Sequence, residues 1–130
     1  MKIDHIGYAV KQIDRALSSF KKLGFQFYHM IEDHDRNIKI IFGEKNNYRI
    51  ELVCPLDKTK KSPVDAYLSK IGPTPYHICY QSANLEVDIE NLKKQGFRVI
   101  IDPERAVAFN GKRVVFMMNI GFGLMEIVET

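Results

Sequence analysis

Shifted by 72 positions and laid over itself, the chain places His5-Ile6-Gly7-Tyr8 on His77-Ile78-Cys79-Tyr80 and Gly24-Phe25 on Gly96-Phe97. The same shift pairs Ile13 with Leu85, Leu17 with Ile89 and Phe20 with Leu92. Farther on, Ile50-Glu51-Leu52-Val53 matches Met125-Glu126-Ile127-Val128 at a shift of 75, the change a three-residue difference in one loop would make. An internal repeat limits the fold to two copies of one supersecondary unit, since each copy alone exposes an apolar face that needs cover.

Periodicity inside each copy gives the unit. Ile3 to Val10 is rich in strand formers. From Ile13 to Leu23, apolar residues at Ile13, Ala16, Leu17, Phe20 and Leu23 make one helical face. Gly24 suits the helix C-cap, where a left-handed backbone is needed. Strands are predicted over Phe25–Ile31, Ile38–Phe42 and Tyr48–Val53, and again over Phe97–Ile100, Arg113–Met118 and Leu124–Val128. The unit is therefore βαβββ used twice, an α+β chain. We expect one domain over 1–130, with modules 2–54 and 75–129 and a connector 55–74 that holds a short helix from Ser62-Pro63 to Ile71.

Composition adds exclusions. The 130 residues include 19 Lys plus Arg and 16 Asp plus Glu, a formal charge of +3 that is too small and too mixed to argue for a nucleic-acid or membrane partner. Cys54 and Cys79 lie in apolar runs and read as inert core thiols of a reducing compartment. The start Met1-Lys2-Ile3-Asp4-His5 lacks a basic flank leading into a long apolar segment, so no signal peptide is expected and the cytoplasm is the default location.

Four residues carry the chemistry. His5 and His77 occupy equivalent positions in the first strands of the two copies, and Glu51 and Glu126 in the last. Each Glu sits between two apolar residues in a strand, so it faces away from both. Carboxylates inside a sheet are costly unless a cation compensates them. Two imidazoles and two carboxylates suit one divalent ion such as Zn, Ni, Co or Mn, with positions left for water or a bidentate substrate. His29 and His34 have no repeat mates and read as surface or pocket-edge residues. Tyr8, Phe42, Tyr80, Phe116 and Met118 are candidates to shape a pocket, and Arg49, Lys112 and Arg113 candidates to meet a carboxylate or phosphate tail.

The segments His5-Ile6-Gly7-Tyr8-Ala9-Val10, Tyr76-His77-Ile78-Cys79-Tyr80, Gly111-Lys112-Arg113-Val114-Val115-Phe116 and Leu124-Met125-Glu126-Ile127-Val128 resemble, in order and spacing, the vicinal-oxygen-chelate (glyoxalase, bleomycin resistance and dioxygenase) superfamily. Glyoxalase I and methylmalonyl-CoA epimerase are the branches most resembled, over residues 2 to 129. The resemblance implies paired βαβββ modules forming a curved mixed sheet around a metal-binding cleft. It also implies the ligand set His5, Glu51, His77 and Glu126, and a homodimer. The chemistry implied is metal-assisted proton abstraction beside a carbonyl, with Glu126 and Glu51 as bases and a thiol adduct or thioester as substrate. Glu51 stands where the resembled epimerases carry Gln, and a further epimerase carboxylate would fall near Lys39. Both features place glyoxalase-I-like lactoylglutathione lyase activity first. Epimerisation of a 2-methyl-branched acyl-CoA comes second, favoured by the connector Ser62-Pro63-Val64 with Tyr67-Leu68 and Lys70. A non-catalytic small-ligand or antibiotic-binding protein is the third reading.

Overall fold

The computed structural model describes all of residues 1–130. Its elements are β1 (Lys2–Ala9), α1 (Ile13–Lys22), β2 (Gln26–Asp33), β3 (Ile38–Lys45), β4 (Tyr48–Pro55), α2 (Asp65–Lys70), β5 (Thr74–Ser82), α3 (Leu85–Lys94), β6 (Arg98–Arg105), β7 (Arg113–Asn119) and β8 (Gly123–Glu129). A 3-10 turn, Val107–Phe109, follows β6. Each copy is βαβββ, as the repeat requires.

Two compact units result: His5–Tyr76, and Met1–Asp4 together with His77–Thr130. In the first, the strand order is β2-β3-β4-β1, with β1 parallel to β4 and the other neighbours antiparallel. In the second, the order is β5-β8-β7-β6, with β5 parallel to β8 and the rest antiparallel.

The first core forms where the apolar face of α1 meets alternate strand residues. Ile13, Ala16, Leu17 and Phe20 pack on Ile41, Ile50, Leu52 and Cys54. In the second core Leu85, Ile89 and Leu92 of α3 pack on Val115, Met117, Met125 and Ile127. Leu52 and Ile127 are fully buried, each contributing on the order of 1.5–3 kcal/mol. Burial also pushes the Cys54 thiol up in pKa. Both cysteines are free and buried.

Both helices stop in the same way. Gly24 takes φ +96°, its amide donates to the Lys21 carbonyl, and the Phe25 amide donates to that of Phe20. Gly96 takes φ +90°, and the amides of Gly96 and Phe97 donate to Lys93 and Leu92. This paired bonding closes the helix end, and the left-handed position admits glycine without a Cβ clash. The Phe20 and Phe25 rings meet edge-on at 5.4 Å across the first of these ends, completing the motif with an apolar contact.

Three elements depart from the sequence pattern. β6 runs well past Ile100 to Arg105, is largely exposed, and is the outer strand of its unit. Its Arg98, Asp102, Pro103, Glu104 and Arg105 are the charged and proline residues that protect such an edge from further pairing. α2 is shorter than expected because the Asp65 carboxylate accepts from both the Ser62 amide and hydroxyl, making a turn before the helix begins. The 3-10 turn lacks a periodic signature.

Arg113, one of the candidates for a tail contact, is engaged in ion pairs within its own unit. Its guanidinium donates to Glu129 at 2.9 Å and to Glu86 at 2.8 Å. Those bonds hold both carboxyls below their ordinary 4.5 and push the guanidinium up. Because the folded pKa values are depressed, the stabilisation is present above the unfolded value and is lost as pH falls through the folded ones. Thermal melts of wild type and Arg113→Met should therefore differ at pH 6 to 8, and the gap should close as pH falls below 4.5 through the depressed folded values. A gap that persists unchanged in acid would show that Arg113 acts through packing alone.

Candidate metal centre

Each unit presents one buried imidazole beside one buried carboxylate. In the first, His5 (0% exposed) is on β1 and Glu51 (5%) on β4, with Nε2 to Oε1 at 3.6 Å. In the second, His77 (4%) is on β5 and Glu126 (4%) on β8, with Nε2 to Oε2 at 3.1 Å. Parallel pairing brings each pair together: Gly7 lies opposite Glu51, and Cys79 opposite Glu126. Strand alternation then puts His5, two residues from Gly7, and His77, two from Cys79, on the face of the neighbouring Glu. Ile50, Leu52, Met125 and Ile127 point the other way, into the helix-covered cores.

A phenylalanine completes each half. Phe42 is the register partner of Glu51 and meets the His5 ring edge-on at 5.4 Å. Phe116 is the partner of Glu126 and meets His77 edge-on at 5.6 Å. Of the five pocket candidates these two share the histidines' face. So does Met118, two residues along β7 from Phe116. Tyr8 and Tyr80 do not. They pack with the helix-side cores, Tyr8 against Phe20 at 5.1 Å.

Lys39 is also on the helix side. It pairs with Cys54, whereas Glu51 pairs with Phe42, so Lys39 and Glu51 occupy opposite faces of the sheet. It therefore cannot mark the loss of a carboxylate aimed at the Glu51 face. His29 and His34 are both exposed, and His34 lies 3.2 Å from Glu32.

The donor set of each pair fits a divalent ion. Ligand distances of about 2.0–2.2 Å put neighbouring donors on one ion roughly 3.0–3.4 Å apart. The second pair falls in that range and the first just outside it. A carboxylate buried beside an imidazole and a phenylalanine ring is the group such a cation would compensate.

Residues 4–116 match the family model of the Glyoxalase/Bleomycin resistance protein/Dioxygenase superfamily, and the chain belongs to that superfamily. Among its relatives is the uncharacterised protein YqjC of Bacillus subtilis, 32% identical over 117 residues, or 89% of this chain and 81% of that one. Another is the ethylmalonyl-CoA/methylmalonyl-CoA epimerase of Cereibacter sphaeroides, 29% identical over 119 residues, 89% of this chain and 87% of that one. The crystal structure of methylmalonyl-CoA epimerase from Mycobacterium tuberculosis superposes with a TM-score of 0.83 at 27% identity, covering 98% of this chain and 87% of that one. The paired βαβββ fold with eight strands and three helices is thus the glyoxalase-like fold of that epimerase.

These likenesses point to an enzyme of the superfamily and correct the order of the functional readings. Glyoxalase I, placed first on the strength of Glu51 and Lys39, is not supported; the epimerase alternative is favoured. The physical reason is that a His/Glu ligand set serves proton abstraction in either substrate class, while Lys39 lies on the other face of the sheet. No helix is long and apolar enough to cross a membrane.

Proposed function

We propose that the chain is a metal-dependent epimerase of a 2-methyl-branched malonyl-CoA thioester, in which His5, Glu51, His77 and Glu126 together hold one divalent ion. The observation carrying this reading is the duplicated pair: one buried imidazole beside one buried carboxylate in each module, each on a face lined by phenylalanine. The epimerase relatives supply the substrate class.

When bound, the ion supplies Lewis-acid stabilisation of the enolate that forms as C2 loses its proton. Glu126 removes that proton through the oxygen not turned toward His77. Glu51, coming from the other module, returns a proton to the opposite face of C2, and the two exchange roles for the other enantiomer. His5 and His77 hold the donor geometry, and the edge-on Phe42 and Phe116 rings fix the imidazoles in place. The reading carries with it one domain over 1–130, a homodimer and a cytoplasmic setting.

One enantiomer of methylmalonyl-CoA incubated with metal-loaded protein in deuterated water tests it. The expected result is loss of optical activity with deuterium entering at C2. Turnover of a methylglyoxal–thiol hemithioacetal with none of the thioester would restore the glyoxalase reading.

A further inference from the structure

The helix-covered side of the first module holds a cavity of about 280 Å³, lined by Lys11, Lys39 and Lys58 together with Asp14, Met30 and Cys54. Three separate segments supply the lysines: the β1–α1 turn, strand β3 and the loop after β4. Lys39 is the register partner of Cys54, on the face opposite Glu51, so the cavity lies away from the His5–Glu51 pair. Lys39 is half-buried, and Lys11 and Lys58 are exposed.

The loop is fixed where it carries Lys58. Buried Asn37, at φ 57°, donates its side-chain amide to the carbonyls of Asp57, Lys60 and Lys61 and accepts from the Asp57 amide at 2.8 Å. The carboxylate of Asp57, next to Lys58 in the chain, accepts instead from the Thr59 amide and hydroxyl at 2.9 and 2.6 Å. No ion pair neutralises Lys11, Lys39 or Lys58. Lys39 and Lys58 both draw the Cys54 thiol down in pKa against the push of burial, so their charges bear on one point of the cavity wall. Against three ammonium groups the lining offers one carboxylate, Asp14, which leaves a formal charge of +2. Like charges gathered around one concavity repel, and a bound anion removes that cost.

We propose that this cavity binds a phosphate dianion, free or as a monoester, through Lys11, Lys39 and Lys58. A phosphate monoester carries about −1.5 to −2 charges at pH 7, which matches the lining. A single water needs roughly 10–15 Å³, so a tetrahedral oxyanion fits with water around it. Lysine meets phosphate as a compact point charge with three rotatable donors, and three of them converging suit an oxyanion approached from several sides. The site is independent of the proposed metal centre.

Amide chemical-shift titration of the isotope-labelled full chain with inorganic phosphate, at ionic strength held constant with chloride, tests the assignment. Saturable shifts are expected at Lys11, Asp14, Lys39 and Lys58. Lys39→Gln should weaken binding about 10-fold, the size of one lost charge-assisted contact, and the exposed Lys58→Gln about 3-fold. The double variant Lys60→Gln/Lys61→Gln removes two charges of the same loop from outside the cavity and should bind as wild type does. Coenzyme A and its 3′-dephospho form separate the sources. Shifts at these amides with the first but not the second identify a 3′-phosphate as the occupant, and shifts with inorganic phosphate alone identify the free ion. Equal shifts with both coenzymes and none with phosphate would overturn the proposal. So would shifts that never saturate, or a Lys60/Lys61 variant weakened as much as Lys39→Gln, since the cavity would then be part of a general positive surface.

Discussion

Glu126→Gln is expected to lower epimerisation of methylmalonyl-CoA by about 10²–10⁴-fold, the usual weight of a lost general base. Gln keeps the side-chain length and one ligating oxygen but cannot accept the C2 proton, so the loss should sit in kcat more than in KM. Metal content must be measured alongside, because Glu126 is also a proposed ligand. The sharper signature is stereochemical. With one base gone, Glu51 can still remove a proton from its own face and return a solvent deuteron there. One enantiomer should then exchange at C2 with retention while the other stays inert, and Glu51→Gln should show the mirror preference. A fully loaded Glu126→Gln protein that inverts C2 at the wild-type rate would remove Glu126 from the mechanism.

The second large effect concerns the ion. Wild type should bind about one divalent ion per chain, and the double variant His5→Ala/His77→Ala should retain almost none. At a free ion concentration about 100 times Kd, binding to the folded state adds about 2.7 kcal/mol of stability, a rise in Tm on the order of 10 °C for a chain of this size. Chelation should reverse it, since the buried carboxylates then lose their compensating charge. Stoichiometry is decisive here. Two ions per chain would mean that each module binds its own, and undiminished binding by the double variant would end the assignment of the histidines.

How much of this could be read from the letters depended on whether a feature was local or needed strand register. The repeat alone was enough to give βαβββ twice, and the outward turn of Glu51 and Glu126 followed from their apolar neighbours Ile50, Leu52, Met125 and Ile127. Gly24 and Gly96 announced the helix ends. Which of the five pocket candidates are plain core, as Tyr8 and Tyr80 are, and which face Lys39 takes depend on the partner across the sheet, and Lys39 pairs with Cys54. Arg113 resembled a substrate contact because its partners Glu86 and Glu129 lie 27 and 16 residues away. β6 was cut short because an exposed edge strand carries no apolar alternation. The substrate class was hidden for a different reason: a ligand set encodes how a proton is moved, not which acyl group bears it.

The alternation that turns Glu51 and Glu126 away from the helices also shapes how such a chain can change. Odd positions of β4 around Glu51 share its face, and even positions meet the α1 side. Ile50, Leu52, Met125 and Ile127 lie beneath the sheet in the helix-covered cores, while Phe42 and Phe116 lie above it beside the two carboxylates. The strand between them is hydrogen-bonded to a neighbour on each side, so a change on one face reaches the other through the shared backbone. One face of each sheet thus keeps the chain folded, and the other is where the proposed chemistry would be altered.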